Sequence, residues 1–145
     1  MSLINFINVS IGDQIGHSEE LEISGLQILR KLIERENKEP ETFSSYMPSY
    51  EWEAEAWDDY KLEVTKRQNQ LCDLGIVNVI GNIISSTKSN ITLVVKYETI
   101  NLAIALLLGG NQKAQDKFCE FFQKDMNNAC LLTIQRIIEK LFRQV

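Results

Sequence analysis

The chain has 145 residues, of which 44% are hydrophobic and 24% are charged, a composition typical of one soluble globular domain. A net charge of -5 and the lack of a Lys/Arg block argue against a nucleic-acid partner. The three cysteines form no CxxC pair, so they indicate neither a disulfide framework nor a zinc site, and they fit a reducing compartment.

The first part of the chain predicts a leader followed by a helix. Residues 1–17 show no secretory signal or other targeting segment, and we expect an irregular leader there. From Ser18 to Glu36 the apolar residues recur with a helical period. The hydroxyl of Ser18 is suited to cap the first turn of this helix. We therefore expect one helical domain to span residues 18–145.

The middle of the chain predicts a linker and two further helices. Residues 37–49 contain both prolines and many polar side chains, which is typical of a solvated linker. The next helix is expected over Tyr50–Leu71, packed along only part of its length because Arg67 and Gln68 interrupt its apolar stripe. The β-branched stretch Ile76–Ile84 also predicts a helix, since its polar residues recur at three or four positions rather than two.

The last third of the chain predicts three more helices. The stretch Ile91–Leu108 is apolar on nearly every face in its second half, which is typical of a central buried helix. Gly109 and Gly110 predict a left-handed end to that helix, and Asn111 is suited to cap the next one. A final helix is expected from about Asn128. With about six helices and no convincing strand, the predicted fold class is all-α, as a short solenoid or an irregular multi-helix bundle.

The sequence offers little catalytic chemistry. His17 is the only histidine, so no histidine-containing catalytic constellation can be assembled. Cys119 and Cys130 lie among apolar residues and are expected to pack in the core. Five carboxylates occur within residues 51–59, but on a helix they point in different directions and form no calcium loop. We therefore predict no catalytic, metal-binding or cofactor-binding residue, no cofactor and no enzyme activity.

Two further features concern partners. Trp52 and Trp57 are either interface anchors for a partner or covers of the core, and the sequence leaves both alternatives open. The longest purely apolar run, Leu102–Leu108, is about a third of the roughly 20 residues that a membrane helix needs. We therefore expect no direct membrane insertion by this chain. The Gly109 and Gly110 turn lacks the spacing of a phosphate loop, and we expect no small-molecule site.

A distinctive run, LAIALLLGGN, begins at Leu102 and is followed by Gln115 and Phe118. This run resembles a signature in the homology-associated domain of the intracellular calcium-release channels, the inositol trisphosphate and ryanodine receptors. Upstream, Leu71 and the segment at 74–84 are similar to the leucine, glycine and apolar helix that precede the signature, and the helix at 26–33 is similar to an earlier one. The structural motif implied by the resemblance consists of Leu102, Ala105, Gly109, Gly110, Asn111, Gln115 and Phe118.

The resemblance implies an armadillo-like helical repeat within the cytosolic assembly of a tetrameric channel of the endoplasmic reticulum membrane. Such a receptor domain relays ligand-induced movement toward the pore, and its partners are neighbouring domains or subunits of the same channel. As an isolated segment it is expected to be soluble and to self-associate weakly. The alternative is a stand-alone helical-repeat adaptor that binds a protein or peptide, and in which the chain itself covers the apolar stripe of the last helix.

Overall fold

The structure is a computed structural model of the chain, and it describes residues 3–5, 7, 19–34, 50–88 and 90–144, with the backbone only for residues 50–57. All regular secondary structure in these ranges is helical, which confirms the predicted all-α class. The predicted linker at 37–49, the Ser18 cap and His17 lie outside the described residues.

Besides the helical residues 3–5 and 7, the described chain contains six α-helices and one short 3-10 turn. The bounds of the helices lie close to those that the hydrophobic periodicity predicts. The helices are α1 (Glu19–Glu34), α2 (Tyr50–Asp73), α3 (Ile76–Ser85), α4 (Leu93–Leu107), α5 (Gln112–Lys124) and α6 (Ala129–Arg143), and the 3-10 turn Leu108–Gly110 joins α4 to α5.

The structure corrects the expectation of an irregular leader. Residues 3–5 and 7 are helical, and both Ile4 and Ile7 are buried in the core. Ile7 packs against α1 at Gly25, where an added Cβ would lie 3.1 Å from the Ile7 Cδ1 atom. A helix this short contains too few apolar residues to show a period, which is why the sequence pattern did not predict it.

The core lies where α1, α3 and α4 meet. Helix α3 contributes most, with its aliphatic side chains buried on nearly every side. Helix α1 adds Leu26, Leu29 and Ile33, and α4 adds Leu102 and Leu106, all of them almost fully buried. Each such side chain contributes on the order of 1.5–3 kcal/mol by leaving water, so this cluster is the main source of stability.

Helix α2 packs through the position at which we expected its stripe to break. Its buried face runs through Val64, Gln68, Leu71 and Cys72, which follow a helical spacing. Gln68 is therefore part of the interior and not an interruption of it. The consequence of burying an amide at this position is described below.

Helix α4 is apolar on most faces, as predicted, but only one face is buried. Val95 and Leu102 face the core, whereas Tyr97 and Ile104 are more than half exposed. By length and composition alone, Leu93–Gly110 would suffice to cross a membrane, with 18 residues and a mean hydropathy of 1.5. Core helices of soluble proteins meet the same criterion, and here α4 packs against α1 and α3.

Candidate functional site

The motif residues of the α4 end lie at a junction of three helices. Leu102 and Ala105 are buried on the inner face of α4. Gly109 and Gly110 then have φ angles of 74° and 73°, the left-handed conformation that the sequence predicted. An added Cβ on Gly109 would meet no atom within 4 Å, so backbone conformation and not space requires glycine there.

Asn111 begins α5 and joins it to α2. Its Oδ1 accepts a hydrogen bond of 2.8 Å from the backbone amide of Ala114, which confirms the predicted cap. Its Nδ2 donates to the Oε1 of Gln68 at 3.0 Å and to the Oδ1 of Asn69 at 2.9 Å. The same side chain thus caps one helix and fixes its position against another.

Gln68 connects this cap to the end of α4. Its Nε2 donates hydrogen bonds of 2.9 Å to the carbonyl oxygens of both Ala105 and Leu108. The first carbonyl lies in the last turn of α4 and the second at the start of the 3-10 turn, where the α-helical ladder of hydrogen bonds ends. Gln68 is only 1% exposed, so its amide replaces water as the partner of these groups. We call this set, with Asn69 and Asn111, the Gln68 network.

The aromatic residues of α5 pack beside this junction. Phe118 is partly buried and stacks on Phe122, with ring centroids 6.2 Å apart. Phe121 lies over Gly81 of α3, where an added Cβ would be 2.0 Å from the Phe121 Cζ atom. Gln115 is exposed, and its backbone amide donates to the carbonyl of Asn111 at 3.1 Å.

Sequence reasoning missed Gln68 and Gly81. The sequence pattern predicts a break in the apolar stripe at Gln68, although a single amide at a core position also indicates a buried hydrogen-bonding role. Gly81 gave no signal because its partner lies 40 residues away on α5. The backbone of Trp52 and Trp57 belongs to α2, but their side chains are outside the described part of the structure. Both alternatives, anchors for a partner and covers of the core, therefore stay open.

The junction contains amide groups and no titratable side chain. Among the described residues, no three His, Cys, Asp or Glu side chains lie close enough to hold a metal ion. Cys130 is buried as expected, whereas Cys119 is exposed, which corrects the expectation that it packs in the core. Burial raises the pKa of the Cys72 thiol and that of the Cys130 thiol, which disfavours the reactive thiolate. The Gln68 network consists of hydrogen bonds between amide and carbonyl groups of three helices.

Two open cavities lie outside the junction. One, of about 350 Å³, separates the start of α3 from α5, and its wall includes Cys72, Asp73 and Lys117. The other, of about 330 Å³, lies between the α3–α4 loop and α6. It is lined by Ser86, Thr87, Lys88, Ile91, Leu93, Lys96, Thr133, Arg136, Ile137 and Lys140.

The fold and the junction define a class, that of all-α proteins whose helices are joined by buried packing and a polar network. No family model, curated protein or solved structure matches this chain.

Proposed function

We propose that this chain is a non-catalytic helical module of an intracellular ligand-gated calcium-release channel of the inositol trisphosphate and ryanodine receptor family. It relays conformational change from ligand-binding regions to the pore through packing between domains. It acts at the cytosolic face of the endoplasmic reticulum membrane. Its partners are neighbouring domains or subunits of that channel.

The observation that carries this proposal is the Gln68 network. A module that transmits movement has to keep its own helices fixed while its outer faces move with their neighbours. The network supports this role because it locks the ends of α4 and α2 and the start of α5 at one buried point. The motif of the resemblance, at 102–118, surrounds that same point.

The outer faces of the fold supply surfaces for neighbours. On α6, four large apolar side chains are exposed along one side, and the outer side of α4 carries a second apolar stripe. The first set consists of Leu131, Ile138, Leu141 and Phe142, and the second consists of Leu93, Tyr97, Ile104 and Leu108. Exposed apolar stripes of this kind mark protein contacts.

The exposed stripe of α6 favours the channel module over the stand-alone adaptor. A self-contained adaptor was expected to cover this stripe with its own chain. In the ranges that the structure describes, Ile138 and Phe142 are instead 46% and 76% exposed. A module within a larger assembly has neighbours to bury them.

The experiment has two stages. First, the native transcript is sequenced to find whether its reading frame continues into further helical repeats and transmembrane helices. Second, the full-length product is expressed, and release of calcium from endoplasmic reticulum vesicles is measured after addition of inositol trisphosphate and, separately, of a ryanodine-receptor agonist. Gln68→Leu should strongly reduce the release while the tetramer still assembles. The matched control Gln70→Leu changes an exposed glutamine of the same helix and should leave the release unchanged.

Two results would contradict the proposal. One is a reading frame that contains no transmembrane helix. The other is full calcium release by the Gln68→Leu channel, because the relay would then not pass through this junction. A frame without transmembrane helices, together with a monomeric purified protein that captures one defined peptide, would instead support the adaptor.

A further inference from the structure

The cavity between the α3–α4 loop and α6 has an unusual charge. Four basic residues line it: Lys88 from the loop, Lys96 from α4, and Arg136 and Lys140 from α6. None of its described lining residues is acidic, although the protein as a whole has a net charge of -5. Positive charge is therefore concentrated here against the overall composition.

Helix α6 presents its part of the cavity as one face. Thr133, Arg136, Ile137 and Lys140 follow the spacing i, i+3, i+4 and i+7, so their side chains lie on the same side of the helix. Ile137 is buried and holds this face against the rest of the fold. The two cations of α6 are thereby directed toward the loop.

Lys96 already has a structural partner within the fold. The Nζ of Lys96 donates a hydrogen bond of 2.7 Å to the carbonyl oxygen of Ser86, just after the end of α3. Arg136 and Lys140 make no hydrogen bond or ion pair with any other described residue. They also form an i, i+4 pair of like charge, which destabilises a helix. A bound anion would remove that repulsion.

We propose that this cavity binds a phosphate-bearing anion. The Arg136 guanidinium is a planar donor of several N–H groups, which matches the oxygen geometry of phosphate, and lysine ammonium groups supply additional charge. Hydroxyl groups of Ser86, Thr87 and Thr133 line the same space and can donate to further oxygens. The volume, about 330 Å³, is roughly that of eleven water molecules, which is enough for one or two phosphate groups.

This site goes beyond the proposed relay role and does not depend on it. The sequence predicts no small-molecule site, and it gives no sign of this one because the cationic residues come from three elements separated in sequence. Arg30 and Lys31, which are adjacent in sequence, lie on α1 and do not line this cavity. Only the fold brings residues 88, 96, 136 and 140 together.

The test is calorimetric titration of the full chain with inorganic pyrophosphate at constant ionic strength. We expect saturable binding that the double variant Arg136→Gln/Lys140→Gln weakens at least about tenfold, since each charged hydrogen bond contributes that much or more. The matched control is Lys61→Gln/Lys66→Gln, which removes the same charge from exposed positions of α2 and should leave binding unchanged. Lys88→Gln, in the loop, provides a second variant that does not alter a helix.

A second arm distinguishes a soluble phosphate from a lipid headgroup. Vesicles of phosphatidylcholine with phosphatidic acid replace pyrophosphate, and sedimentation of the protein with the vesicles is measured. The site is supported if the cavity variants lose binding to pyrophosphate or to the vesicles while the control variant keeps it. The probe that binds then identifies whether the phosphate belongs to a soluble molecule or to a lipid. The absence of saturable binding to both probes overturns the proposal. So does an equal loss of binding in the cavity and control variants, because that result would reflect only the net charge of the protein.

Discussion

Helices α3 and α6 have similar amphipathic patterns but opposite burial. Both are rich in isoleucine, and both show the helical period clearly. In α3, seven of ten residues are buried. In α6, which packs on α3, only Cys130 and Ile137 are buried among fifteen residues. The same pattern therefore leads in one case to a core helix and in the other to a half-covered one.

The difference shows what periodicity can and cannot establish. A stripe at helical spacing establishes which face of a helix is apolar. Whether that face is covered depends on partners, and these are either distant parts of the same chain or other molecules. Helix α3 is surrounded by α2, α4, α5 and α6, whereas α6 has its main described contact with α3 alone. The following predictions compare buried contacts between helices, which come first, with the exposed outer face of α6, which comes last.

The largest effect is expected at the Gln68 network. Gln68→Leu should reduce the free energy of unfolding by about 3 kcal/mol, because the Ala105 and Leu108 carbonyls lose the Gln68 amide and the Asn111 amide keeps only its bond to Asn69. Urea unfolding followed by circular dichroism would measure it. The control Gln70→Leu changes an exposed residue further along the same helix, and its free energy of unfolding should stay within about 0.5 kcal/mol of the parent value. Equal effects of the two variants would mean that the network does not stabilise the junction.

The next effect is expected at the left-handed turn. Gly109→Val and Gly110→Val should each cost on the order of 1–3 kcal/mol, since a β-branched residue is strained at φ angles of 74° and 73°. Gly109→Asn should cost less, because asparagine tolerates this conformation. Thermal unfolding would measure all three. A midpoint within about a degree of the parent for both valine variants would contradict the C-cap interpretation, because each kcal/mol shifts the midpoint by about 2–4 °C.

A smaller effect is expected where α5 packs on α3. Gly81→Ala would gain about 1 kcal/mol of helix propensity, but its Cβ would collide with the Phe121 ring, and overpacking costs about 1–3 kcal/mol. We expect a net loss of about 1 kcal/mol in chemical denaturation. In the Phe121→Ala background the collision is absent, so the same change should become stabilising. If its sign does not reverse, the ring of Phe121 does not occupy the space above Gly81.

The sequence predicted the helices and their ends well, but it predicted the contacts between helices poorly, for a physical reason. Helix bounds, the Gly109 turn and the Asn111 cap depend on neighbours within a few residues, and the sequence therefore contains their signals. The Gln68 network and the Phe121–Gly81 contact join residues about forty positions apart. Their geometry exists only after the helices have packed. The helical residues 3–5 and 7 are a different case, because a run this short shows no hydrophobic period that the sequence could reveal.

The smallest effect on stability is expected on the outer face of α6. Ile138→Glu and Phe142→Glu change exposed side chains, so each should alter the free energy of unfolding by no more than about 0.5 kcal/mol. The adjacent control Ile137→Glu removes an aliphatic side chain that is only 8% exposed, so it should destabilise by about 2 kcal/mol or more through lost apolar packing.

The same variants also test what the outer face does. The apolar stripe of the parent should cause weak, concentration-dependent self-association in sedimentation velocity, and Phe142→Glu should abolish it because a charge on each copy opposes the contact. A strictly monomeric parent would contradict the role of this stripe as a contact surface. If Phe142→Glu instead destabilised the chain as much as Ile137→Glu, another part of the same chain would have to cover α6. The contrast with α3 would then disappear, because both helices would be buried by the fold itself.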